Sequence, residues 1–193
     1  MKRISNNIEN TIIIKNSKFI TNLFIVEDIE EVNRYLNLIK DKYRDANHNC
    51  YAYVVGNIKK CSDDGEPSGT AGMPMIRVLE HKGLNNILVI VTRYFGGIKL
   101  GANGLVRAYT NSVSETLDMV DIVDTIKGYN IDIIFNFSDI KRIDYLLKDI
   151  KVLNKEYNDV VKYNLNVESY LLDVLKENNI KYNVNKEVYV KKD

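Results

Sequence analysis

The sequence predicts a mixed α/β protein built from two domains. Its 193 residues suffice for two small domains, since domains commonly hold about 100–150 residues. Apolar residues make up 45% of the chain and charged residues 27%, a composition typical of folded globular proteins. Short β-branched runs alternate with segments of helical periodicity along the chain, which indicates sheets covered by helices.

The first predicted elements are two strands followed by a helix. Two strands, 12–14 and 19–26, flank the turn-forming Lys15-Asn16-Ser17, and the apolar residues that follow step by three and four, as on one face of a helix. A strand at 50–55 then precedes a polar, glycine-bearing segment, 59–72. We expect that segment to be a loop.

Three more elements complete the N-terminal half. A helix is expected at 73–81, where Pro74 is tolerated in the first turn because its missing N–H has no helical partner there. The unbroken apolar and β-branched run 88–92 predicts a buried strand. Residues 105–120 have the spacing of a further helix.

The glycine-rich composition of the N-terminal half ends around residues 121–125, and we place the domain boundary there. The expected domains are residues 1–121 and 126–193. The elements of the second domain are a strand at 129–135, a helix capped by Ser138, strands at 152–157 and 160–167, a helix capped by Ser169 and a strand at 182–190. Their order, β-α-β-β-α-β, is the ferredoxin-like arrangement.

Charge and composition exclude several classes of function. The 27 Lys and Arg residues nearly balance the 26 Asp and Glu residues, which argues against a DNA-coating protein or a binder of membrane surfaces. The N-terminus has no apolar signal-peptide core, and the longest apolar runs are too short to cross a bilayer. Cys50 and Cys61 are not needed as a bridge in a chain of this length. The expected location is the cytoplasm.

Glycine is concentrated in one part of the chain. Eight of the ten glycines fall between Gly65 and Gly104. Glycine loses more conformational entropy on folding than other residues, so this density indicates tight turns or a close approach of the backbone to another group. We therefore expect the functional surface to lie within residues 62–109.

Three segments here carry a resemblance to a known family. They are DANHNCYAY at 45–53, CSDDGEPSGTAGMP at 61–74 and VTRYFGGIKLGANGLVRAY at 91–109. Together they resemble the signature of the IMPACT/YigZ family, and the likeness covers about residues 16–117. Asn103 departs from the pattern, since family members usually carry glycine there. Asparagine tolerates left-handed backbone better than most residues, so we expect this loop to keep its shape.

The resemblance implies both a fold and a field of function. It implies an N-terminal domain like the second domain of ribosomal protein S5, and a C-terminal domain like the fifth domain of elongation factor G. The second expectation agrees with the ferredoxin-like order. Eukaryotic members modulate translational control by binding a regulator of an eIF2α kinase, although that partner is not carried over to a two-domain member.

The glycine-rich segments also suggest a binding chemistry. Both precede helices, whose first N–H groups lack helical partners and favour anions. The glycine-rich segment 91–109 contains three cations and no acid, which suits a phosphate or an RNA backbone. The predicted anion-binding residues are Arg93, Gly96, Gly97, Lys99, Gly101, Asn103, Gly104 and Arg107.

The acidic loop before the first of these helices has two interpretations. Asp63, Asp64 and Glu66 can form ion pairs with Arg93 and Arg107 and so fix the loops together, or they can hold Mg²⁺, which prefers oxygen ligands. The remaining residues of the predicted functional surface are His48, Ser68 and Thr70.

Other chemistries have weaker support. His48 and Cys50 lie two apart on a predicted strand, as a nucleophile and base would, but an isolated cysteine in a strand is more often a core residue. Zinc binding by His48, Cys50, Cys61 and His81 fits no standard spacing. The glycines match neither a P-loop nor GxGxxG, and 101–104 match the GXXG of KH domains over four residues alone. Strand aromatics of the second domain are expected in its core. We predict no catalytic residue, metal or cofactor.

The function that this sequence favours is regulatory binding associated with translation, through RNA, the ribosome or a translation-related protein. No membrane partner is expected. The alternative is a phosphate-handling or hydrolytic enzyme that uses Asp63, Asp64 and Glu66 together with Arg93 and Arg107.

Overall fold

Residues 1–192 are described by a computed structural model. Within them, five α-helices and two antiparallel sheets give a mixed α/β architecture, which confirms the predicted fold class. The chain divides into two compact units, residues 1–123 and residues from 124 onward. None of the described helices is long and apolar enough to cross a bilayer.

The N-terminal unit is built on a five-stranded antiparallel sheet. After a short first strand, β1 (Lys2–Ile4), its strands are β2 (Ile8–Ile14), β3 (Ser17–Ile25), β4 (His48–Val55), β5 (Ile58–Ser62) and β6 (Ile87–Tyr94). Their order in the sheet is β2-β3-β6-β4-β5. The most apolar strand, β6, is central and pairs with β3 and β4. Buried on both faces, it carries apolar residues at successive positions.

The predicted turn joins β2 to β3. Ile14 pairs with Ser17, so Lys15 and Asn16 form a two-residue hairpin loop, and both have positive φ, +45° and +66°. Two positive φ values are the mark of a type I′ turn, whose twist matches that of the strands.

Helix α1 (Ile29–Lys42) covers one face of this sheet. Asp28 caps it by accepting a hydrogen bond from the Glu31 N–H (2.8 Å). Val32 and Ile39 lie on its buried face and pack against sheet residues that include Leu88 and Ile90. The predicted helical face is therefore the buried one.

Helices α2 (Gly72–His81) and α3 (Gly101–Leu117) cover the opposite face. Successive side chains of β6 point to opposite faces, so Ile87, Val89 and Val91 meet these two helices. Pro74 lies in the first turn of α2, as predicted. The largest fully buried side chains of this layer include Phe19, Leu23, Met75, Leu79, Tyr109 and Leu117.

Two boundaries in this unit differ from the prediction. The segment predicted as a loop begins with β5, whose alternation is hidden because it is an edge strand with exposed lysines. Helix α3 begins at Gly101 instead of residue 105, so Asn103 and Gly104 are helical and the left-handed tolerance of Asn103 is not used. The N–H groups of a first turn have no intrahelical partner, so glycine disrupts little there.

The second unit has the predicted β-α-β-β-α-β order. Its elements are β7 (Ile122–Phe135), which begins two residues before the unit, α4 (Ile140–Leu146), β8 (Val152–Tyr157), β9 (Val161–Glu168), α5 (Ser169–Glu177) and β10 (Lys181–Lys191). The strands pair antiparallel in the order β10-β7-β9-β8. The inward residues of β9 are buried at every second position, and Tyr163 lies in the core with Phe135.

The two predicted serine caps of this unit were wrong. Ser138 lies inside a short 3₁₀ turn (Phe137–Asp139), and α4 has no side-chain cap. Ser169 is the first residue of α5, whose cap position is Glu168. In both places the cap position lies one residue away from the predicted serine, which is enough to remove the cap.

Candidate functional site

A cleft of about 460 Å³ lies in the N-terminal unit where β4 begins and β6 ends, beside the start of α3. The segment 95–100 joins β6 to α3 and supplies much of one wall. The lining residues are Asn47, His48, Glu66, Pro67, Arg93, Phe95, Lys99, Leu100, Gly101, Ala102 and Leu105. Five of them, His48, Glu66, Arg93, Lys99 and Gly101, belong to the predicted functional set.

Arg93 forms the floor of the cleft from near the end of β6. Its side chain is 6% exposed, and its Nη1 donates to Glu66 Oε1 at 2.6 Å. Nη2 donates to Ser17 Oγ at 3.4 Å, and the guanidinium lies over the rings of Phe19 and Phe95. Its Nε is buried without a hydrogen-bond partner in the described residues. A buried charge is tolerated when it is paired, and here Glu66 provides the counter-charge.

Glu66 connects this ion pair to α3. Its Oε1 also accepts from the Tyr109 hydroxyl at 2.9 Å. Burial, with the charge of Glu66 and the thiol of Cys50 nearby, raises the pKa of Tyr109 far above its ordinary value, so this hydroxyl stays a donor. The carboxylate thus accepts from two buried donors and holds its loop against the sheet and the helix.

His48 stands beside this pair at the start of β4, opposite Arg93 in the sheet register. Its Nδ1 lies 2.9 Å from the carbonyl oxygen of Asp64, and since a carbonyl only accepts, Nδ1 carries a proton. Nε2 lies 3.9 Å from Glu66 Oε2, too far for a hydrogen bond. His48 therefore ties the acidic loop to the sheet with one nitrogen and borders the cleft.

Asp63 organises the loop that enters α2. Its carboxylate accepts from the backbone N–H groups of Gly69 (2.8 Å), Ala71 (2.9 Å) and Gly72 (2.8 Å). Partial burial raises the pKa of Asp63, but the three N–H donors outweigh that effect and hold the pKa below its ordinary value.

Asp64 has a similar structural role. It has a φ of +43°, and its carboxylate accepts from the backbone N–H of Asn49 at 2.6 Å. Thr70 closes the same loop through a hydrogen bond from its hydroxyl to the Pro67 carbonyl (2.6 Å), whereas Ser68 is exposed. Of the expected acid–arginine pairs, Glu66–Arg93 is present. No group of three acids, histidines or cysteines in residues 1–192 is placed to hold a metal.

The segment after β6 makes one very close backbone contact. A Cβ built on Gly96 would lie 2.1 Å from the Asn16 carbonyl group, and the Gly96 N–H donates to Ser17 Oγ at 3.2 Å. Gly97 has a φ of +85°, in the region that favours glycine. The glycine pair therefore turns the chain against the β2–β3 hairpin and directs it toward α3.

The N-terminus of α3 opens into the cleft. No side chain caps it, and its first turn has no acid. Gly101 and Ala102 line the cleft beside Lys99, whose exposed ammonium has no ion-pair partner in the described residues. Free N–H groups, the positive end of the helix dipole and a lysine together favour an anion.

The structure separates Arg107 from this cleft. Arg107 is exposed on α3, one residue beyond the apolar Val106, and it does not line the cleft. The sequence reasoning in turn missed Ser17, Phe95 and Tyr109. Tyr109 showed a signal, since it lies in the glycine-rich segment with helical spacing, but its hydroxyl partner comes from a distant loop.

The cysteines do not have the environment of nucleophiles. Cys50 is buried, with Sγ 2.9 Å from the Asp63 carbonyl oxygen and 3.2 Å from Tyr109 Oη. Burial is the main reason that its pKa rises to about 12. A nucleophilic cysteine needs the opposite shift, toward the thiolate.

Comparison with known proteins matches the same N-terminal region that carries the family resemblance. The family model described as Impact N-terminal domain matches residues 15–117. The chain is 41% identical to "IMPACT family member YvyE" of Bacillus subtilis over 165 residues, which cover 83% of this chain and 76% of that protein. It is 41% identical to "IMPACT family member YigZ" of Escherichia coli over 109 residues, 54% of this chain and 53% of that one.

A solved structure extends the likeness to the whole chain. It is described as the crystal structure of an hypothetical protein, is 28% identical, and covers 96% of this chain and 97% of its own. The TM-score is 0.64. The two-unit architecture therefore has an experimental counterpart.

Proposed function

Because the chain belongs to the IMPACT family, we propose that it is a translation-associated binding protein whose cleft holds a phosphate group of RNA, free or in the ribosome. The translational setting comes from the family to which the chain belongs. The chemistry comes from the cleft. The observation that carries it is the uncapped N-terminus of α3, beside Lys99, opening into that cleft.

Lys99 and Arg93 have different roles in this proposal. Arg93 is neutralised by Glu66 and almost fully buried, so it positions the cleft walls and Phe95. Lys99 is exposed and unpaired in the described residues, so it can meet a phosphate directly. A variant of Lys99 therefore tests binding, whereas a variant of Arg93 also tests folding.

Co-purification from native lysate at low salt tests the proposal. Wild-type protein is compared with Lys99→Gln and with Lys40→Gln, a matched control on α1, where Lys40 is exposed on the other side of the sheet. Recovery of ribosomal subunits or a defined RNA, lost in Lys99→Gln and at high salt but kept in Lys40→Gln, is the expected result. Protein free of RNA in all three samples would contradict it, and one stoichiometric protein without RNA would favour a protein partner.

The enzymatic alternative has less support from the acidic loop. Both carboxylate oxygens of Asp63 and one of Asp64 accept hydrogen bonds from backbone N–H groups, and Glu66 is paired with Arg93. A phosphoester hydrolysis screen in which wild type turns over a substrate and Asp64→Ala does not would restore it.

A further inference from the structure

A second groove, of about 390 Å³, runs between α2 and α3 in the same unit. Its floor is apolar, formed by Pro74, Val78 and Val106. Two hydroxyl residues of α3, Thr110 and Ser114, continue the wall. The basic residues of the groove are Arg77, His81 and Lys82, and its lining has no acid.

Most of this positive charge is unpaired. The side chains of Arg77 and His81 are exposed and make no ion pair or hydrogen bond within residues 1–192. Lys82 lies 3.5 Å from Asp118 at the far end of the groove. Arg107, also exposed and unpaired within the described range, precedes Thr110 by three residues and so lies on the adjoining helical surface.

The surrounding sequence has the same bias. From His81 to Ser114 the chain contains no Asp or Glu. Glu80, just before this stretch, lies 2.6 Å from Lys59 and is thereby neutralised. In a protein whose net charge is +1, such a region stands out as locally cationic.

We propose that the α2–α3 groove is a second phosphate-binding subsite, which makes the ligand a single-stranded nucleic-acid segment instead of a mononucleotide. This inference rests on the proposed function, because one strand is to occupy both places. Charge complementarity selects the occupant: Arg77 and Arg107 meet phosphates, and the apolar floor accommodates ribose or base faces.

The two subsites are adjacent on α3. Leu105 lines the cleft and Val106 lines the groove. Gly101 and Thr110 are nine residues apart, which is about 14 Å along a helix at 1.5 Å per residue. A mononucleotide is too short to reach both, whereas a strand of a few nucleotides reaches them together.

The test measures binding of a fluorescent U12 oligonucleotide, and of UMP, over a series of salt concentrations. For single strands the slope of log K against log salt is about −0.7 per phosphate neutralised. We expect the slope to become less negative by about 1.4 in Arg77→Gln/Arg107→Gln and by about 0.7 in Lys99→Gln. The control Arg34→Gln/Lys40→Gln removes two charges from exposed positions on α1 and should leave the slope unchanged.

UMP separates the two subsites. Because UMP is expected to occupy the cleft alone, Lys99→Gln should weaken the affinity for UMP. Arg77→Gln/Arg107→Gln should change the affinity for UMP by less than about twofold. Binding of U12 that is equal in wild type and Arg77→Gln/Arg107→Gln overturns the groove inference and leaves the cleft standing. Absence of U12 binding by wild type overturns both. An acidic amphipathic peptide that shifts the amide resonances of Thr110 and Ser114, where U12 does not, also overturns it.

All the exchanged side chains are exposed, so the variants are expected to fold. Circular dichroism melts identical to wild type establish this before binding is compared.

Discussion

At the scale of single residues, the chemistry under the cleft depends on one buried ion pair. Arg93 and Glu66 have side chains 6% and 3% exposed and are 2.6 Å apart. Tyr109 donates a further hydrogen bond to Glu66, and Ser17 accepts one from Arg93. Removing one partner of a buried pair leaves an uncompensated charge, which costs more than the pair itself contributes.

The pair gives a stability prediction. Glu66→Gln should lower the free energy of unfolding by about 3–5 kcal/mol, because Arg93 is left charged and buried. The double variant Glu66→Gln/Arg93→Met should recover part of that loss, since neither charge remains. Urea unfolding of the two variants measures both, and a loss below about 1 kcal/mol for Glu66→Gln would contradict the role assigned to the pair.

Gly96 provides a second prediction at this scale. Gly96→Ala places a Cβ against the Asn16 backbone, so we expect a loss of about 3 kcal/mol or more from overpacking. Gly97→Ala is the matched control: its Cβ meets open space, and the positive φ alone costs about 1 kcal/mol. Equal denaturation midpoints for the two variants would show that the close contact has no energetic weight.

At the scale of elements, the loops before α2 and α3 are built differently although both are glycine-rich. Asp63 occupies the entry to α2, because its carboxylate accepts from the N–H groups of Gly69 and Ala71 in the loop and of Gly72, the first residue of that helix. The entry to α3 has no such cap and remains available. This contrast identifies which of the two helix N-termini has room for an anion.

The cap at α2 predicts a pH dependence. The folded-state pKa of Asp63 is depressed, so its contribution to stability is complete above the unfolded-state pKa of about 3.9 and is lost as the pH falls further. Asp63→Asn should therefore lose less stability than wild type between about pH 5 and pH 3. Urea midpoints at several pH values measure this, and parallel pH curves would refute it.

Much of this element plan could be predicted from the sequence. The family resemblance is confirmed, and the apolar periodicity placed α1, β6 and the β-α-β-β-α-β order correctly. Prediction from the sequence failed where a feature depends on contacts between distant parts of the chain. An edge strand such as β5 hides its pattern behind exposed lysines, and the Glu66–Arg93 contact joins a loop to a strand 27 residues away.

At the scale of the whole molecule, the N-terminal unit has complete apolar cores of its own. The two clusters on either side of its sheet draw on residues up to Ile122. We propose that residues 1–123 fold alone and carry the binding site. The fragment should unfold cooperatively in urea and keep the U12 affinity of the full chain, and a non-cooperative transition would contradict this.

We propose above that the N-terminus of α3 holds a phosphate. Amide chemical shifts of the full ¹⁵N-labelled protein, followed during titration with U12, test it most directly. We predict that the amides of Lys99, Gly101 and Ala102 shift most, together with that of Phe95, and that Lys99→Gln weakens the response. Shifts confined to other parts of the chain, with these amides unchanged at saturation, would contradict the account.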